Sequence, residues 1–494
     1  MFEMEHFDLI VIGGGPSGYA GAMRAIDFGK KVLIIEKFKL GGAGVYDGVL
    51  ASKTLWEHAL KVQITKELVP NFIPDFKDVS RIVNEAVFER KTQMTVHLQF
   101  LQKQRSNLMF YERGTAYILN KHTVRITKED GTSKEVKTDH VLICSGSSPR
   151  KPANIAVDEK TIMTSNGIRN LTRFPKSMVV LGAGVIGCEF ATIFSLLGNT
   201  KVSLIDKADR ILPFEDKDIT DIISRNLESH GCLLHHGASL VRMEIKNGGV
   251  EYELKYKDGK TEVFQVEKAL VSIGREANVN GLGLENAGVK LNERGCIWDD
   301  DTQTNISNIY VAGDVTTEVA LVNVGEREAR HAVVRMFGPI VKPLSYKNIS
   351  TIMFLNPEVA AVGMNEQELV AKGIPHKVVK LDYATNARAI AMRKTVGFFK
   401  IIVTNDNAMR ILGMRAVGEH ASSAIQAVAY LIHTNQGIRE LADMMHPHPS
   451  IIEGVQECLR MLLNKSIYKP YVFKDRLKCY VCENGVCTPI EQLV

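Results

Sequence analysis

The chain has 494 residues, of which 45% are hydrophobic, and its 61 basic and 56 acidic residues give a formal net charge of +5. These values are typical of a globular protein of three or four domains, at about 150 residues per domain. The charges are dispersed along the chain without a long basic run. They therefore give no indication of nucleic-acid or membrane-surface binding.

No apolar stretch approaches the roughly 18 residues that a transmembrane helix needs. The first predicted strand begins by Phe7, so we expect no signal peptide and a cytoplasmic protein. Cys144, Cys188 and Cys232 lie singly in predicted strands or helices, as is typical of buried thiols in a reduced compartment.

A glycine-rich turn follows the first predicted strand. The apolar run at 7–12 leads into Gly13, Gly15 and Gly18, spaced as GxGxxG, and then into a helical pattern. Such glycines allow a sharp turn, a close approach of a pyrophosphate and the packing of helix on strand. A second strand ends at Glu36, where the ribose hydroxyls of a dinucleotide need an acceptor. This unit therefore predicts a dinucleotide site.

A long helical run is predicted over 79–108. Its apolar residues keep spacings of three, four and seven, and we expect them to face the core: Val83, Val87, Met94, Leu98, Leu101 and Leu108.

The strand, glycine turn, helix and acid recur in the middle of the chain. The apolar run at 178–181 leads into Gly182, Gly184 and Gly187, and the next predicted strand ends at Asp206. Two such units predict two bound dinucleotides.

Asp206 also bears on which nicotinamide is bound. Its carboxylate would accept hydrogen bonds from the adenosine ribose of NADH and would repel the additional phosphate of NADPH, which favours NADH. Lys207 and Arg210 follow closely, so NADPH remains an alternative if the loop turns these cations inward.

Further signals lie at strand ends and near the carboxyl terminus. Predicted strands end at Gly146 and Gly274, and the segment 308–314 ends at Asp314. The later segment 446–453 reads HPHPSIIE and contains a histidine and a glutamate at close spacing.

Together these motifs resemble the pyridine nucleotide-disulfide oxidoreductase family, which includes dihydrolipoamide dehydrogenase and glutathione reductase. The resemblance covers about residues 7–465. It implies an α/β protein with two Rossmann-like dinucleotide-binding domains, for FAD and NAD, and an α+β C-terminal dimerisation domain. The expected segments are the first part of the FAD domain at 1–150, the NAD domain at 151–275, the second part of the FAD domain at 276–345, the dimerisation domain at 346–465 and a cysteine-containing tail at 466–494.

The resemblance also implies roles for individual residues. Asp314 would bind the ribityl chain of FAD, and Gly146 would form the turn that closes the first FAD segment. Lys53 and Glu189 would form an ion pair beside flavin N5, with a plain buried salt bridge as the alternative.

The segment 446–453 resembles the family's HxHPTxxE motif. His448 would act as acid/base at the active site of the neighbouring subunit of a homodimer, and Glu453 would orient it. A carboxylate partner holds the imidazole in one tautomer and raises its basicity, which suits proton transfer near neutral pH. The alternative is a histidine that only packs at the dimer interface.

The redox loop of the family reads GGTCxNxGCxPSK, and the corresponding segment here, 41–53, reads GGAGVYDGVLASK. Gly44 and Val49 occupy the two cysteine positions. The loop looks closest to a cysteine-depleted branch that contains NAD(P)H:quinone reductases, which implies that the reduced flavin passes electrons directly to a quinone or a similar small acceptor. Tyr46 is either a stacking surface for a flat acceptor or ordinary packing.

The tail contains Cys479, Cys482 and Cys487, of which the first two form a CxxC motif. Such thiols can form a disulfide, bind zinc with further ligands, exchange with other thiols or be incidental, and the tail could recruit a protein partner. We assign no metal ligand from the sequence. Alternative functions are soluble NAD(P) transhydrogenation, thiol or metal reduction through the tail, and a non-enzymatic flavoprotein scaffold.

Overall fold

The computed structural model describes residues 4–46, 48–316 and 319–490. The chain divides into two compact units, each assembled from separate stretches of sequence. Unit 1 contains Met1–Lys61, Thr65–Phe174 and Val271–Leu344, and unit 2 contains Val62–Ile64, Pro175–Leu270 and Ser345–Val494. The finer domain boundaries expected from the sequence stay predictions.

Within the described residues, the strands and helices follow one another along the chain, with short 3₁₀ helices at Ser165–Asn170, Tyr383–Thr385 and Ala421–Ala424. The strands are β1 (His6–Ile12), β2 (Val32–Glu36), β3 (Met109–Arg113), β4 (Thr115–Asn120), β5 (Thr123–Thr127), β6 (Ser133–Ile143), β7 (Ser147–Pro149), β8 (Ile162–Met163), β9 (Ser177–Leu181), β10 (Lys201–Ile205), β11 (Leu233–His235), β12 (Ala238–Lys246), β13 (Gly249–Tyr256), β14 (Thr261–Val266), β15 (Lys268–Val271), β16 (Arg275–Ala277), β17 (Ile309–Val311), β18 (Ser350–Met353), β19 (Val359–Gly363), β20 (His376–Asp382), β21 (Phe398–Thr404), β22 (Ile411–Val417), β23 (Leu477–Glu483) and β24 (Val486–Pro489). The helices are α1 (Pro16–Asp27), α2 (Gly42–Val45), α3 (Val49–Leu68), α4 (Phe76–Gln104), α5 (Val185–Leu197), α6 (Lys217–Ser229), α7 (Leu284–Ala287), α8 (Val322–Phe337), α9 (Glu366–Ala371), α10 (Ala387–Met392), α11 (Ile425–Thr434), α12 (Arg439–Asp443) and α13 (Ile452–Leu462).

Unit 1 is built on a sheet with the strand order β3-β2-β1-β6-β5-β4, and β17 also pairs with β6, along Val141–Ile143. β1, β2, β3, β6 and β17 are parallel neighbours, which brings their carboxyl ends to one edge. Leu9 and Val11 of β1 pack in the core on one face of the sheet, and Ile10 and Ile12 pack in the core on the other. Burial on both faces explains why this strand reads as a continuous apolar run.

The predicted long helix of unit 1 is α4. Val83, Val87, Met94 and Leu98 are buried as expected. The helix ends at Gln104, however, so the assignment of Leu108 to the helical stripe was wrong. Leu108 lies in the turn before β3, where its carbonyl oxygen accepts a hydrogen bond from the backbone of Val32 (N···O 2.7 Å).

The first part of unit 2 carries the second dinucleotide-type sheet, ordered β11-β10-β9-β15. β9, β10 and β11 are parallel, and α5 follows β9 directly through the second glycine turn. An antiparallel sheet, β12-β13-β14, follows. Both sheets contain a set of adjacent parallel strands, which confirms the predicted α/β class.

The second part of unit 2 has a sheet ordered β18-β19-β22-β21-β20-β23-β24, whose described pairings are antiparallel. α11 and α13 pack against one face of it. β23 and β24 come from the C-terminal tail, which the sequence did not assign to any sheet. The tail is therefore part of this domain, and Leu477 lies in its core.

A buried ionic cluster joins the two parts of unit 2. The Lys400 ammonium, 1% exposed, lies 2.9 Å from Asp216 and Asp218 carboxylate oxygens and 3.1 Å from Glu366 Oε2. Burial opposes the charged form, but Asp218, Asp216 and Glu366 outweigh it and raise the pKa of Lys400 to about 12. A raised pKa means that this stabilisation is present below the unfolded pKa and is lost as the pH rises through about 12.

No helix among the described residues is long and apolar enough to cross a membrane.

Replacing Lys400 with Met should destabilise the protein by about 3–5 kcal/mol, because it leaves buried carboxylates without their central cation. Urea unfolding should show this as a lower midpoint. Lys255→Met is the matched control, since Lys255 is exposed on β13 and should change stability by no more than about 0.5 kcal/mol. Equal midpoints for the two variants would contradict a stabilising role for the cluster.

Candidate active site

The first glycine turn closes tightly onto neighbouring backbone. Gly13 has φ of +106°, and a Cβ atom built there would lie 2.3 Å from the carbonyl oxygen of Cys144. A Cβ atom at Gly18 would lie 1.9 Å from the carbonyl oxygen of Gly13. Both distances are far below van der Waals contact. Glycine at these positions therefore lets α1 begin directly above the end of β1.

Gly15, between them, faces open space instead. No neighbouring heavy atom lies within 4 Å of a Cβ atom built there, and Gly15 is the N-cap of α1. Pro16, the first helical residue, carries no N–H group, but the other first-turn amides have no partner within the helix. An open helix N-terminus of this kind fits a pyrophosphate.

Glu36, at the end of β2, is fixed beside this turn. Its Oε2 accepts a hydrogen bond from the backbone N–H of Gly14 (2.7 Å), and its Oε1 accepts one from Phe38 (2.7 Å). Each carboxylate oxygen has a second acceptor site. The carboxylate can thus hold the turn and still accept ribose hydroxyls.

The second glycine turn repeats this geometry. Gly182 has φ of +102°, and Gly187 is buried within α5. Gly184 is the N-cap of α5, and no heavy atom lies within 4 Å of a Cβ atom built on it. The backbone at Gly184 (φ −77°, ψ −171°) is close to that at Gly15 (φ −69°, ψ −176°).

Asp206 holds the second turn as Glu36 holds the first. Its Oδ2 accepts from the backbone N–H of Ala183 (2.7 Å), and its Oδ1 accepts from Ala208 (2.8 Å). Arg210 is engaged elsewhere, since its Nη2 donates to Gln367 Oε1 (2.6 Å). This cation is therefore held by a neighbouring side chain rather than directed at a phosphate site.

Asp314 lies where β17 and β6 end side by side. Its Oδ2 accepts a hydrogen bond from Ser147 Oγ (2.6 Å) and lies 3.9 Å from Arg275 Nε. The preceding residue, Gly313, donates its N–H to the buried carboxylate of Glu328 (2.7 Å). Ser147, Arg275 and Glu328 were missed from the sequence because each acts through a contact between distant segments and belongs to no motif.

Gly146 and Gly274 lie in the turns that the sequence indicated. They have φ of +68° and +109°, and a Cβ atom at either would meet no heavy atom within 4 Å. Their carbonyl oxygens accept backbone hydrogen bonds from Asn278 (2.9 Å) and Arg150 (3.0 Å), respectively. Both turns are therefore held by backbone hydrogen bonds, and the space next to the Cα atom of each glycine is open.

The loop at the predicted redox position carries no thiol. Gly44 lies within α2, and a Cβ atom built there would be 2.6 Å from Pro16 Cγ and 3.8 Å from Val322 Cγ2. It thus lies between the N-termini of α1 and α8. Val49 is the first residue of α3 and is 44% exposed. Tyr46 is buried in the core, which supports its interpretation as ordinary packing.

Lys53 and Glu189 belong to different units. Lys53 is a half-buried residue of α3 in unit 1. Glu189 is buried in α5 of unit 2, where its Oε1 accepts a hydrogen bond from the backbone N–H of Phe354 (3.0 Å). Their ion pair stays a prediction.

His448 and Glu453 lie side by side. His448 Nδ1 is 2.8 Å from Glu453 Oε1, and Glu453 Oε2 accepts from the backbone N–H of Ser450 (2.7 Å). Burial alone would raise the pKa of Glu453, but the bonds with His448 and Ser450 hold it below its usual value. The carboxylate is thus kept ionised and orients an imidazole whose side chain is 70% exposed.

The tail cysteines do not pair through the CxxC motif. Cys482 forms a disulfide with Cys487, its cross-strand partner in the β23–β24 hairpin. Cys479 packs against the large core of the domain. Residues three apart on a strand point to opposite faces, so Cys479 and Cys482 cannot reach each other while β23 is paired.

Comparisons with known proteins identify the chain. Residues 7–329 match the sequence model of the pyridine nucleotide-disulphide oxidoreductase family, and residues 349–459 match the model of its dimerisation domain. The dihydrolipoamide dehydrogenase of Chaetomium thermophilum is 31% identical over 468 residues, which cover 93% of this chain and 92% of the relative. A soluble pyridine nucleotide transhydrogenase of Pseudomonas aeruginosa is 31% identical over 449 residues, covering 88% and 91%.

Solved structures agree in fold. LpdA from Mycobacterium tuberculosis superposes with a TM-score of 0.84 at 26% identity, covering 93% of this chain and 99% of that one. The HOCl-induced flavoprotein disulfide reductase RclA from Escherichia coli, solved as a Cu(II) complex, gives 0.83 at 26% identity and covers 93% and 100%.

These matches confirm the predicted fold class and the predicted cofactors, FAD and a nicotinamide dinucleotide. The dimerisation-domain match supports the predicted homodimer. The preference for NADH, the cytoplasmic location and the roles of individual residues stay predictions. The chain belongs to the pyridine nucleotide-disulphide oxidoreductase family.

Proposed function

We propose that the protein is an FAD-dependent NAD(P)H oxidoreductase that passes electrons from NADH through the flavin directly to a quinone or a similar small acceptor. The observation that carries this proposal is the loop in which Gly44 and Val49 occupy the two cysteine positions of the family. Reduction or oxidation of a dithiol substrate proceeds through attack by a thiolate. Neither glycine nor valine can supply one, whereas the dinucleotide turns keep their open geometry.

FAD, when bound, accepts a hydride from the nicotinamide and passes two electrons to an acceptor. The residues of this chain bind and orient the two dinucleotides. We assign the FAD site to Gly13, Gly15, Gly18, Glu36, Gly146 and Asp314, and the nicotinamide site to Gly182, Gly184, Gly187, Asp206 and Gly274.

We assign Lys53 and Glu189 to an ion pair beside the flavin. A lysine ammonium near flavin N5 would favour hydride acceptance, and a carboxylate would keep that ammonium charged and in place. The buried position of Glu189, with its hydrogen bond to the Phe354 backbone, provides a fixed partner for this purpose.

His448 is assigned to proton delivery. Reduction of a quinone to a quinol consumes two protons as well as two electrons. When Nδ1 of His448 carries a proton, it donates to Glu453 and leaves Nε2 to exchange protons with solvent or substrate. In the proposed cytoplasmic homodimer, this imidazole serves the flavin site of the other subunit.

NADH is the proposed donor. Asp206 is held as a carboxylate acceptor by two backbone N–H groups, and Arg210 is bonded to Gln367. A 2′-phosphate would therefore meet a negative charge, with Arg210 directed elsewhere.

A second candidate is transhydrogenation between NADH and NADP. The similarity to the Pseudomonas aeruginosa transhydrogenase supports it. Reduction of an NADP analogue by NADH, at a rate comparable to quinone reduction, would favour this function. Strict use of NADH with no transfer to NADP would exclude it.

The proposed function is tested by separating its two half-reactions. NADH should reduce the flavin under anaerobic conditions, and addition of a benzoquinone should reoxidise it rapidly. The Cys482→Ser/Cys487→Ser variant should behave the same, since its thiols have no part in direct transfer. Flavin reduction without reoxidation by any quinone would contradict the proposal, and dependence on these cysteines would favour electron transfer through the tail.

His448→Gln should slow flavin reoxidation by a quinone on the order of 10²-fold, as expected for loss of a general acid. Stopped-flow absorbance would measure both half-reactions. Flavin reduction by NADH should be unchanged, and so should reoxidation by ferricyanide, which takes up electrons without protons. Glu453→Gln should give a smaller effect because it removes only the orienting carboxylate. Equal slowing with both acceptors would rule out a role in proton delivery.

Gly15→Ala and Gly184→Ala form a matched pair. Both glycines have φ values that alanine adopts readily, and both face open space, so the fold should tolerate each change. Gly15→Ala should lower the FAD content of the purified protein, whereas Gly184→Ala should leave FAD bound and raise KM for NADH about tenfold or more, equivalent to about 1.4 kcal/mol. The opposite pattern would reverse the assignment of the two turns.

A further inference from the structure

The C-terminal hairpin brings two cysteines beside a carboxylate from another element. Cys482 on β23 and Cys487 on β24 are directly opposite each other, with Cα atoms 4.1 Å apart. Cys482 is buried and Cys487 is exposed, so the pair has one side toward solvent. The hairpin extends the sheet through β23, which pairs with β20 from Leu477 to Cys482.

The carboxylate is that of Glu366, the first residue of α9. The Sγ atoms of Cys482 and Cys487 and a carboxylate oxygen of Glu366 all lie within 4.8 Å of one another. Glu366 is 116 residues from Cys482 and 121 residues from Cys487 in the sequence, so the cluster is created by the tertiary fold. Two sulfur ligands and one oxygen ligand suit a borderline-soft divalent ion such as Zn²⁺.

The Glu366 carboxylate is already held in place by neighbouring side chains. Tyr480 donates its hydroxyl to both carboxylate oxygens (2.8 and 3.0 Å), and Lys400 Nζ donates to Oε2 (3.1 Å). A carboxylate held in this way needs little reorientation to meet a cation.

The local charge also accommodates a cation. Asp216, Asp218 and Glu366 carry three negative charges, against two positive charges on Lys380 and Lys400. Two thiolates would add two further negative charges at the solvent side of this cluster. A divalent ion offsets these two charges.

We propose that reduction of the Cys482–Cys487 disulfide creates a zinc site formed by these two thiolates and Glu366. A dithiol reductant transfers two electrons to the disulfide and becomes a cyclic disulfide, leaving two thiols on the hairpin. Zn²⁺ then displaces the two thiol protons and forms two Zn–S bonds and one Zn–O bond, with water as the fourth ligand. Zinc itself undergoes no redox change. The oxidised hairpin holds no metal because both sulfur atoms are committed to the disulfide.

The three ligand atoms need to move only a short distance to coordinate zinc. Zn–S bonds of about 2.3 Å and a Zn–O bond of about 2.0–2.2 Å place tetrahedral ligand atoms about 3.4–3.8 Å apart. The donor atoms already lie within 4.8 Å of one another. Opening the disulfide frees the two sulfur atoms to separate, and exposed Cys487 can move without disturbing the sheet.

The test measures metal content and does not depend on the electron acceptor. Untagged holoprotein, oxidised or reduced with dithiothreitol and then desalted anaerobically, is titrated with Zn²⁺ against a chromogenic chelator. The reduced protein should bind about one more zinc ion per chain than the oxidised protein. Equal zinc content in the two forms would overturn the proposal and leave the disulfide as a covalent link within the hairpin.

Variants identify the ligands. Cys482→Ser/Cys487→Ser should lose the additional zinc, while Cys479→Ser, on the opposite face of β23, should retain it. Glu366→Gln should weaken binding at least tenfold. Glu366 also pairs with Lys400, so Glu366→Gln changes more than one interaction. Tyr480→Phe is the control, because it removes a hydrogen bond to the same carboxylate but keeps all three proposed ligands. This variant should retain the zinc site.

Cobalt gives an independent readout. Co²⁺ bound to the reduced protein should show tetrahedral d–d bands to the red of the flavin absorption, and Glu366→Gln should alter them. Unaltered bands, or zinc affinity unaffected by this variant, would overturn the assignment of Glu366 as a ligand. Failure of quinone reduction would leave these measurements unaffected, so the two proposals can fail separately.

Discussion

Two carboxylates, Glu36 and Asp206, hold the dinucleotide turns on which the fold depends. Each lies at or just after the end of the second strand of its unit and accepts two backbone hydrogen bonds of 2.7–2.8 Å, one of them from the glycine turn itself. A charged acceptor binds backbone N–H groups more strongly than a neutral one does. The turn, the helix N-terminus and the acid are therefore fixed together, which would lower the entropic cost of binding a dinucleotide at the proposed sites.

The loss of the redox cysteines has consequences beyond the missing thiols. Gly44 lies against Pro16 and near Val322, so its lack of a side chain allows the N-termini of α1 and α8 to flank the loop closely. Cys144, a further cysteine of unit 1, is buried, and burial raises the pKa of its thiol well above the usual value. A thiol that remains protonated is a poor nucleophile. The environment of Cys144 is thus consistent with the proposed transfer of electrons directly from the flavin.

The features that the sequence predicted well are local ones. Gly13 and Glu36 belong to a strand, turn, helix and strand that are continuous in sequence, so their spacing alone indicates their proximity. Glu328 and Arg275 contact the Asp314 segment across the fold, and no periodicity marks them. Leu108 was misassigned because an apolar residue at helical spacing also fits the turn after the helix, where the backbone leaves the helix to pair with β2.

The tail shows why proximity in sequence can mislead about chemistry. Cys479 and Cys482 look like a redox pair, but strand alternation directs them to opposite faces of the sheet. Cys482 instead faces Cys487 and Glu366, and the same strand presents Tyr480 to the carboxylate that Lys400 also binds. Register, which depends on pairing with β20, thus decides which thiols meet. Glu366 therefore connects the hairpin to the ionic cluster, so the proposed reduction of the disulfide would act on a carboxylate that also binds Lys400 within unit 2.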